Sequence, residues 1–198
     1  GVFSNRSADA CLAGSAFSMA AWAAILTYAP SFYRQRFLFS TSVASAFMLV
    51  AASCYTLGSV ISGRFVRRFG RKPPTVLAAL FAGIFTVLYT LLPDVWLSAI
   101  ASFLACLFGG MRVTASNSLT LEQVPKFRGT MMSISSAATN LGSSLGAGVG
   151  GLALLLFGYD GMAISLGSMG VAAAIVFQLL ATDPAKADKL LDPRSSLR

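Results

Sequence analysis

Histidine is absent from the 198 residues. That excludes a histidine-based catalytic triad and a histidine metal site. Cysteine is scarce: Cys11, Cys54 and Cys106 stand far apart in apolar runs. An odd, scattered set argues against a disulfide framework or a zinc site. Charge is scarce too. Asp, Glu, Lys and Arg make up 11% of the chain, where soluble domains carry roughly a quarter. Alternation with period two is missing, which argues against a β-barrel. Gly1 to Asp9 is polar, without the apolar core or cleavage site of a signal peptide. The missing initiator Met makes a fragment or a processed chain the expectation.

What is present is long apolar sequence. Hydrophobic residues make up 56% of the chain, and mean hydropathy is +0.72. No charge falls between Asp9 and Arg34, Arg36 and Arg64, Lys72 and Asp94, Asp94 and Arg112, Arg128 and Asp160, or Asp160 and Asp183. A membrane helix needs about 20 apolar residues, and backbone groups in hydrocarbon must be paired within their own segment. An all-α membrane protein is therefore expected, with six transmembrane helices over 10–32, 40–62, 74–92, 95–120, 129–157 and 161–182. Residues 1–182 would form one bundle, and 183–198 a polar cytoplasmic tail. Turn-like stretches separate the spans, among them "LPDV", "EQVPKFRG" and "FGYDG". Pro73 and Pro74 open the third span, where a missing N–H does no harm.

An even number of spans puts both ends on one side. That side carries Arg6, Arg64, Arg67, Arg68, Arg71, Lys72, Lys126, Arg128, Lys186, Lys189, Arg194 and Arg198; the other carries Arg34 and Arg36. The positive-inside rule then places both termini in the cytoplasm, and a multi-pass protein of the plasma (inner) membrane is expected. Anionic lipid is a sufficient partner for the net charge of +8, and no nucleic acid is required.

The densest charge, "GRFVRRFGRKPP", has more than an anchor's pattern. Gly63, Phe65, Arg68, Gly70, Arg71 and Lys72 follow the second span. Here the sequence resembles the major facilitator superfamily, whose signature after the second helix of a six-helix half runs glycine, any residue, leucine, alanine, aspartate, arginine, any residue, glycine, arginine, lysine. Gly63, Arg68, Gly70, Arg71 and Lys72 match; Phe65 replaces leucine, and Arg67 stands at the aspartate. Glu122 to Gly151 is similar to the loop and fifth helix of such a half, with Pro125, Arg128 and Gly129 in the loop and Gly142, Gly146, Gly150 and Gly151 in the helix. Ala147 takes the usual proline position of the antiporter motif.

The resemblance implies one half of a two-half transporter, built from two inverted three-helix repeats. Arg67, Ala147 and the end soon after the sixth span point to the carboxy-terminal half. The amino-terminal six-helix half would then be a partner absent from this chain. The resemblance assigns Gly63, Arg67, Arg68, Gly70, Arg71 and Lys72 to a gating loop, and helices 1 and 4 to a central cavity.

The glycines also carry an argument of their own. Gly142, Gly146 and Gly150 recur every four residues on one helix face, and small residues let helices approach closely in lipid. Gly151 extends the set. Two roles stay open, simple helix packing and a smooth face for sliding. Arg112 is the sharpest single feature, about 6 Å from the middle of the fourth span at 1.5 Å per residue. It reads either as a cavity residue or as an arginine that snorkels to lipid phosphate. Ser18 and Trp22, four apart on helix 1, and the amides of Asn117 and Asn140 complete the cavity candidates. Met111, Met131 and Met132 read as packing.

None of the six spans contains an acid, so a proton-carrying carboxylate is expected in the other half. The expected function is secondary active transport of a small solute by alternating access, foremost proton-coupled efflux of a drug or metabolite. Proton symport of a metabolite or organic anion is the alternative, and a non-transporting scaffold or receptor a further one. No metal and no cofactor beyond a coupling ion, H+, is expected, and an enzyme is not.

Overall fold

The computed structural model describes residues 6–183, apart from the side chain of Lys126. All elements among them are helical. Five helices are long and apolar enough to cross a membrane: α1, Arg6–Arg36; α2, Thr41–Phe69; α3, Lys72–Leu91; α4, Val95–Glu122; and α5, Arg128–Leu180. A short 3₁₀ turn, Pro125–Phe127, leads into α5.

Local chemistry sets the helix ends. Ser40 Oγ accepts from the Val43 amide at 3.3 Å, and Asp94 Oδ1 accepts from the amides of Trp96 and Leu97 at 2.8 and 3.1 Å. Both satisfy donors that a helix start leaves orphaned. Gly70 ends α2 with φ 85°, a left-handed conformation that a Cβ would strain. Within α1 the chain makes one π turn, Ala24–Tyr28. Pro30 explains it: without an N–H it cannot close the regular bond to Leu26. Tyr89 Oη donates to the Ala24 carbonyl at 3.4 Å, inside this turn.

The structure moves several expected boundaries. α2 runs on to Phe69 rather than stopping at 62, so Arg64, Arg67 and Arg68 are helical. Arginine is a good helix former, and its long stem carries the charge beyond the apolar region. The turn between α2 and α3 shrinks to Gly70 and Arg71. The last two expected spans form one element of 53 residues, broken where Gly158 takes φ 71°, ψ −167°. The chain reverses there. A Cβ on Gly150 would lie 2.7 Å from Leu166 Cδ1, whereas sixteen residues of straight helix would separate the two by about 24 Å. We call 128–157 the first limb of α5 and 159–180 the second. The expected tail lies outside the described residues except for Asp183.

Close backbone contacts hold the bundle. A Cβ on Gly142 would run into the Ala16 carbonyl, and one on Gly146 into the backbone of Ala20, so the first limb of α5 lies directly on α1. Gly58 meets Leu107 and Gly110 meets Tyr55 in the same way, joining α2 to α4. Gly83 meets Gly167 and Gly170, joining α3 to the second limb. At one end of the bundle Phe32, Tyr33, Tyr89 and their neighbours form an aromatic cluster, with Phe32–Tyr89 ring centroids 5.3 Å apart and near edge-on. Such a pair adds about 0.5–1.5 kcal/mol beyond burial. Arg36 and Asp160 form an ion pair at 3.6 Å at the same end. The basic turn lies at the other.

Candidate solute cavity and basic turn

The polar residues of α4 lie on one stripe. Arg112, Ser116 and Thr120 are spaced by four, so they share a helix face. Ser15 and Met19 on α1 and Ser135 and Thr139 on the first limb of α5 are spaced likewise. These stripes meet around a cavity of about 190 Å³, completed by Tyr55 of α2. The small residues that bring α1 against the first limb, and α2 against α4, thus frame a polar space in an apolar bundle.

Arg112 is 3% exposed. Its Nη2 donates to Met19 Sδ at 3.4 Å, and a thioether is a weak acceptor. The ion pairs among the described residues are Arg36–Asp160, Arg71–Glu122 and Arg128–Glu122, and none includes Arg112. An unpaired buried charge costs several kcal/mol, which the apolar remainder of α4 offsets on insertion. Ser15 Oγ and Ser18 Oγ are also buried, with no hydrogen-bond partner among the described residues. Ser15 lines the main cavity, and Ser18 lines a smaller recess that also includes Arg112 and Trp22. Trp22 is half-buried over Gly109, where a Cβ would come within 2.8 Å of the indole, and its ring centroid lies 5.0 Å from that of Tyr55.

Of the residues proposed from sequence for the cavity, the structure therefore gathers Arg112, Ser18 and Trp22 in one place. Asn117 is exposed on the rim of the cavity. Asn140 is exposed on the first limb and does not line it. Met132 lines the cavity, while Met131 is fully buried against Ala8 and Leu12. Sequence reasoning passed over Ser15, Met19, Tyr55, Ser135 and Thr139. The four-residue spacing of Ser135 and Thr139 with Arg112 and Ser116 was the available signal. Gly142 and Gly146 face α1, Gly150 faces Leu166 and Tyr28, and Gly151 lies beside Tyr28 Oη. Tyr28 Oη donates to the Ala147 carbonyl.

The basic turn is tied to acids from distant sequence. Asp183 Oδ2 accepts from the amides of Arg71 at 2.9 Å and Lys72 at 3.3 Å. It places an anion at the start of α3, where the helix dipole favours one. Arg71 Nε donates to Ser118 Oγ at 2.9 Å, and its Nη2 lies 3.1 Å from Glu122 Oε1. Arg128 reaches the same oxygen at 3.3 Å. Gln123 Nε2 donates to the Thr182 carbonyl at 2.8 Å, and the Thr182 amide to Ser7 Oγ at 2.8 Å. Arg67 is exposed in the last turn of α2; the Arg68 guanidinium lies 5.3 Å from the Phe69 ring centroid; Gly63 has open space around it.

A family model described as Major Facilitator Superfamily matches residues 11–197. The chain belongs to the major facilitator superfamily. Members of this superfamily are transporters, so the chain is a multi-pass membrane protein of a transporter family. It is similar to a probable peptide/nitrate transporter of Arabidopsis thaliana, with 31% identity over 113 residues, or 55% of this chain and 22% of the relative. The match thus spans about a fifth of that relative's length. In this superfamily member, then, a polar cavity lies beside a buried arginine, and a basic turn binds the helix ends at one face.

Proposed function

We propose that the chain is the carboxy-terminal six-helix half of a secondary active transporter that moves a small solute by alternating access, with proton-coupled efflux of a drug or metabolite as its mode. The observation that carries this is the cavity: a buried cation and unpartnered hydroxyls are expensive in a membrane bundle and are kept where a solute passes. The solutes in the name of the Arabidopsis relative, peptide and nitrate, are small and polar, which fits a space of about 190 Å³.

The helix contacts support two inverted three-helix repeats. Take the limbs of α5 as fifth and sixth spans, and exchange first with fourth, second with fifth and third with sixth. Contact of α1 with the first limb (Gly142 on Ala16) becomes contact of α4 with α2 (Gly110 on Tyr55). Contact of α3 with α4 (Phe81 and Phe108 centroids 5.1 Å apart) becomes contact of the second limb with α1 (Phe177 on Gly14). Contact of α3 with the second limb maps onto itself. In this reading both termini are cytoplasmic in the plasma membrane, the basic turn meets anionic lipid, and an amino-terminal half supplies the second cavity wall and the proton-carrying acid.

The test is flux. The full-length protein is reconstituted in liposomes holding a pH-sensitive dye, and an imposed proton gradient is followed as solutes are added. Solute-dependent dissipation of the gradient is expected. Neither proton nor solute movement across a panel of drugs and metabolites, from protein that binds them, would leave the scaffold role in its place.

A further inference from the structure

We propose that the Arg112 cavity binds the anionic group of a small solute, a carboxylate or an equivalent monoanion. This rests on the transporter reading and names its solute class.

The cavity is lined by one cation, several hydroxyls and an amide, with no carboxylate among its lining residues. Arg112 brings five N–H donors and a full charge, and the partner the structure gives it is the Met19 thioether. The described acids are engaged or distant. Asp94 and Asp160 lie at the aromatic end of the bundle, Glu122 is shared by Arg71 and Arg128, and Asp183 accepts from the start of α3. Asp9 is exposed in the first turn of α1. Ser15, 2% exposed, lines the same cavity as Arg112, and Ser18, 5% exposed, lines the adjoining recess that Arg112 also borders; both hydroxyls are without a partner among the described residues. A ligand in the main cavity that answers Arg112 and Ser15 supplies several acceptor lone pairs and one negative charge. A planar carboxylate matches the guanidinium fork in two parallel hydrogen bonds.

Size and walls narrow the class. A cavity of about 190 Å³ suits a solute of modest size. Leu121, Val113 and Met132 add apolar wall beside the hydroxyls. A carboxylate on a compact apolar body fits both kinds of surface. The same anionic chemistry is available from a lipid headgroup, so the test separates the two sources.

Radiolabelled benzoate is the probe, and benzamide is its uncharged counterpart of the same shape. Binding is measured on the full-length protein in phosphatidylcholine nanodiscs, and again with phosphatidylglycerol added. Saturable benzoate binding is expected, with benzamide at least about tenfold weaker as a competitor. Arg112→Gln should weaken binding at least about tenfold, Arg112→Lys less so, and Ser15→Ala by a few fold. Ser15→Ala and Arg112→Lys keep the test valid if Arg112→Gln fails to fold. No saturable benzoate binding, equal competition by benzamide, or unchanged affinity in both Arg112→Lys and Ser15→Ala overturns the proposal. Loss of benzoate binding when phosphatidylglycerol is present assigns the site to lipid and also overturns it. Benzoate bound at Arg112 without flux in liposomes leaves the anion site standing and sinks the transporter reading. Flux of neutral or cationic solutes with no benzoate binding does the reverse.

Discussion

Arg71, in the two-residue turn between α2 and α3, reaches across to Glu122 at the end of α4, Nη2 to Oε1 at 3.1 Å, with Arg128 on the same oxygen at 3.3 Å. One carboxylate thus joins the starts of α3 and α5 to the end of α4. Glu122→Gln should remove both attractions and leave two cations facing each other, lowering stability by about 1 kcal/mol for partly exposed pairs. The loss should shrink in about 1 M salt, where screening acts over a few ångströms. Thermal melts in detergent at low and high salt check this. A variant that melts with the parent at both would show that Glu122 contributes nothing.

Two glycines of α5 make a matched pair of substitutions. Gly146 abuts the backbone of Ala20, whereas Gly148 has nothing within 4 Å of an added Cβ. Gly146→Leu should force α1 and the first limb apart and cost at least about 2 kcal/mol, as overpacking does. Gly148→Ala should be neutral or stabilising by up to about 1 kcal/mol, because alanine favours a helix. Equal melting temperatures for the two variants would contradict the contact with α1.

Topology can be read with an impermeant thiol reagent. Gln35, near the end of α1, and Arg67, in the last turn of α2, are both exposed and are separated by one long helix. Gln35→Cys should label from outside the cell and Arg67→Cys only after the cytoplasmic face is opened. Labelling of both from one side would remove α2 as a spanning helix.

The apolar runs between charges located the helices in the sequence because hydrocarbon leaves the backbone no other way to be satisfied. Helix ends were less legible. Arg64 to Arg68 look like a loop by charge, yet long stems let them continue α2 to Gly70. Arg112 stood out because a lone charge in an apolar span is costly wherever it faces. Asn140 gave a weaker signal: an amide is cheap enough to stand exposed, and spacing alone does not say which face looks inward. The acids that hold the basic turn were the least visible. Asp183 and Glu122 lie 112 and 51 residues from Arg71, and the fold alone brings them to it.

The π turn at Ala24–Tyr28 gives α1 the equivalent of one inserted residue. The segment with Ser15, Ser18, Met19 and Trp22 and the segment with Phe32 and Tyr33 are therefore out of phase with a single regular helix. Deleting one residue here would leave both segments facing as they do, whereas winding all the residues as regular helix would turn one segment by about 100° against the other. Either the hydroxyls would leave the cavity or the rings would leave the aromatic cluster. When α1 is aligned with a relative whose helix is uniform, the gap belongs inside the membrane, at residues 24–28, and not in a loop.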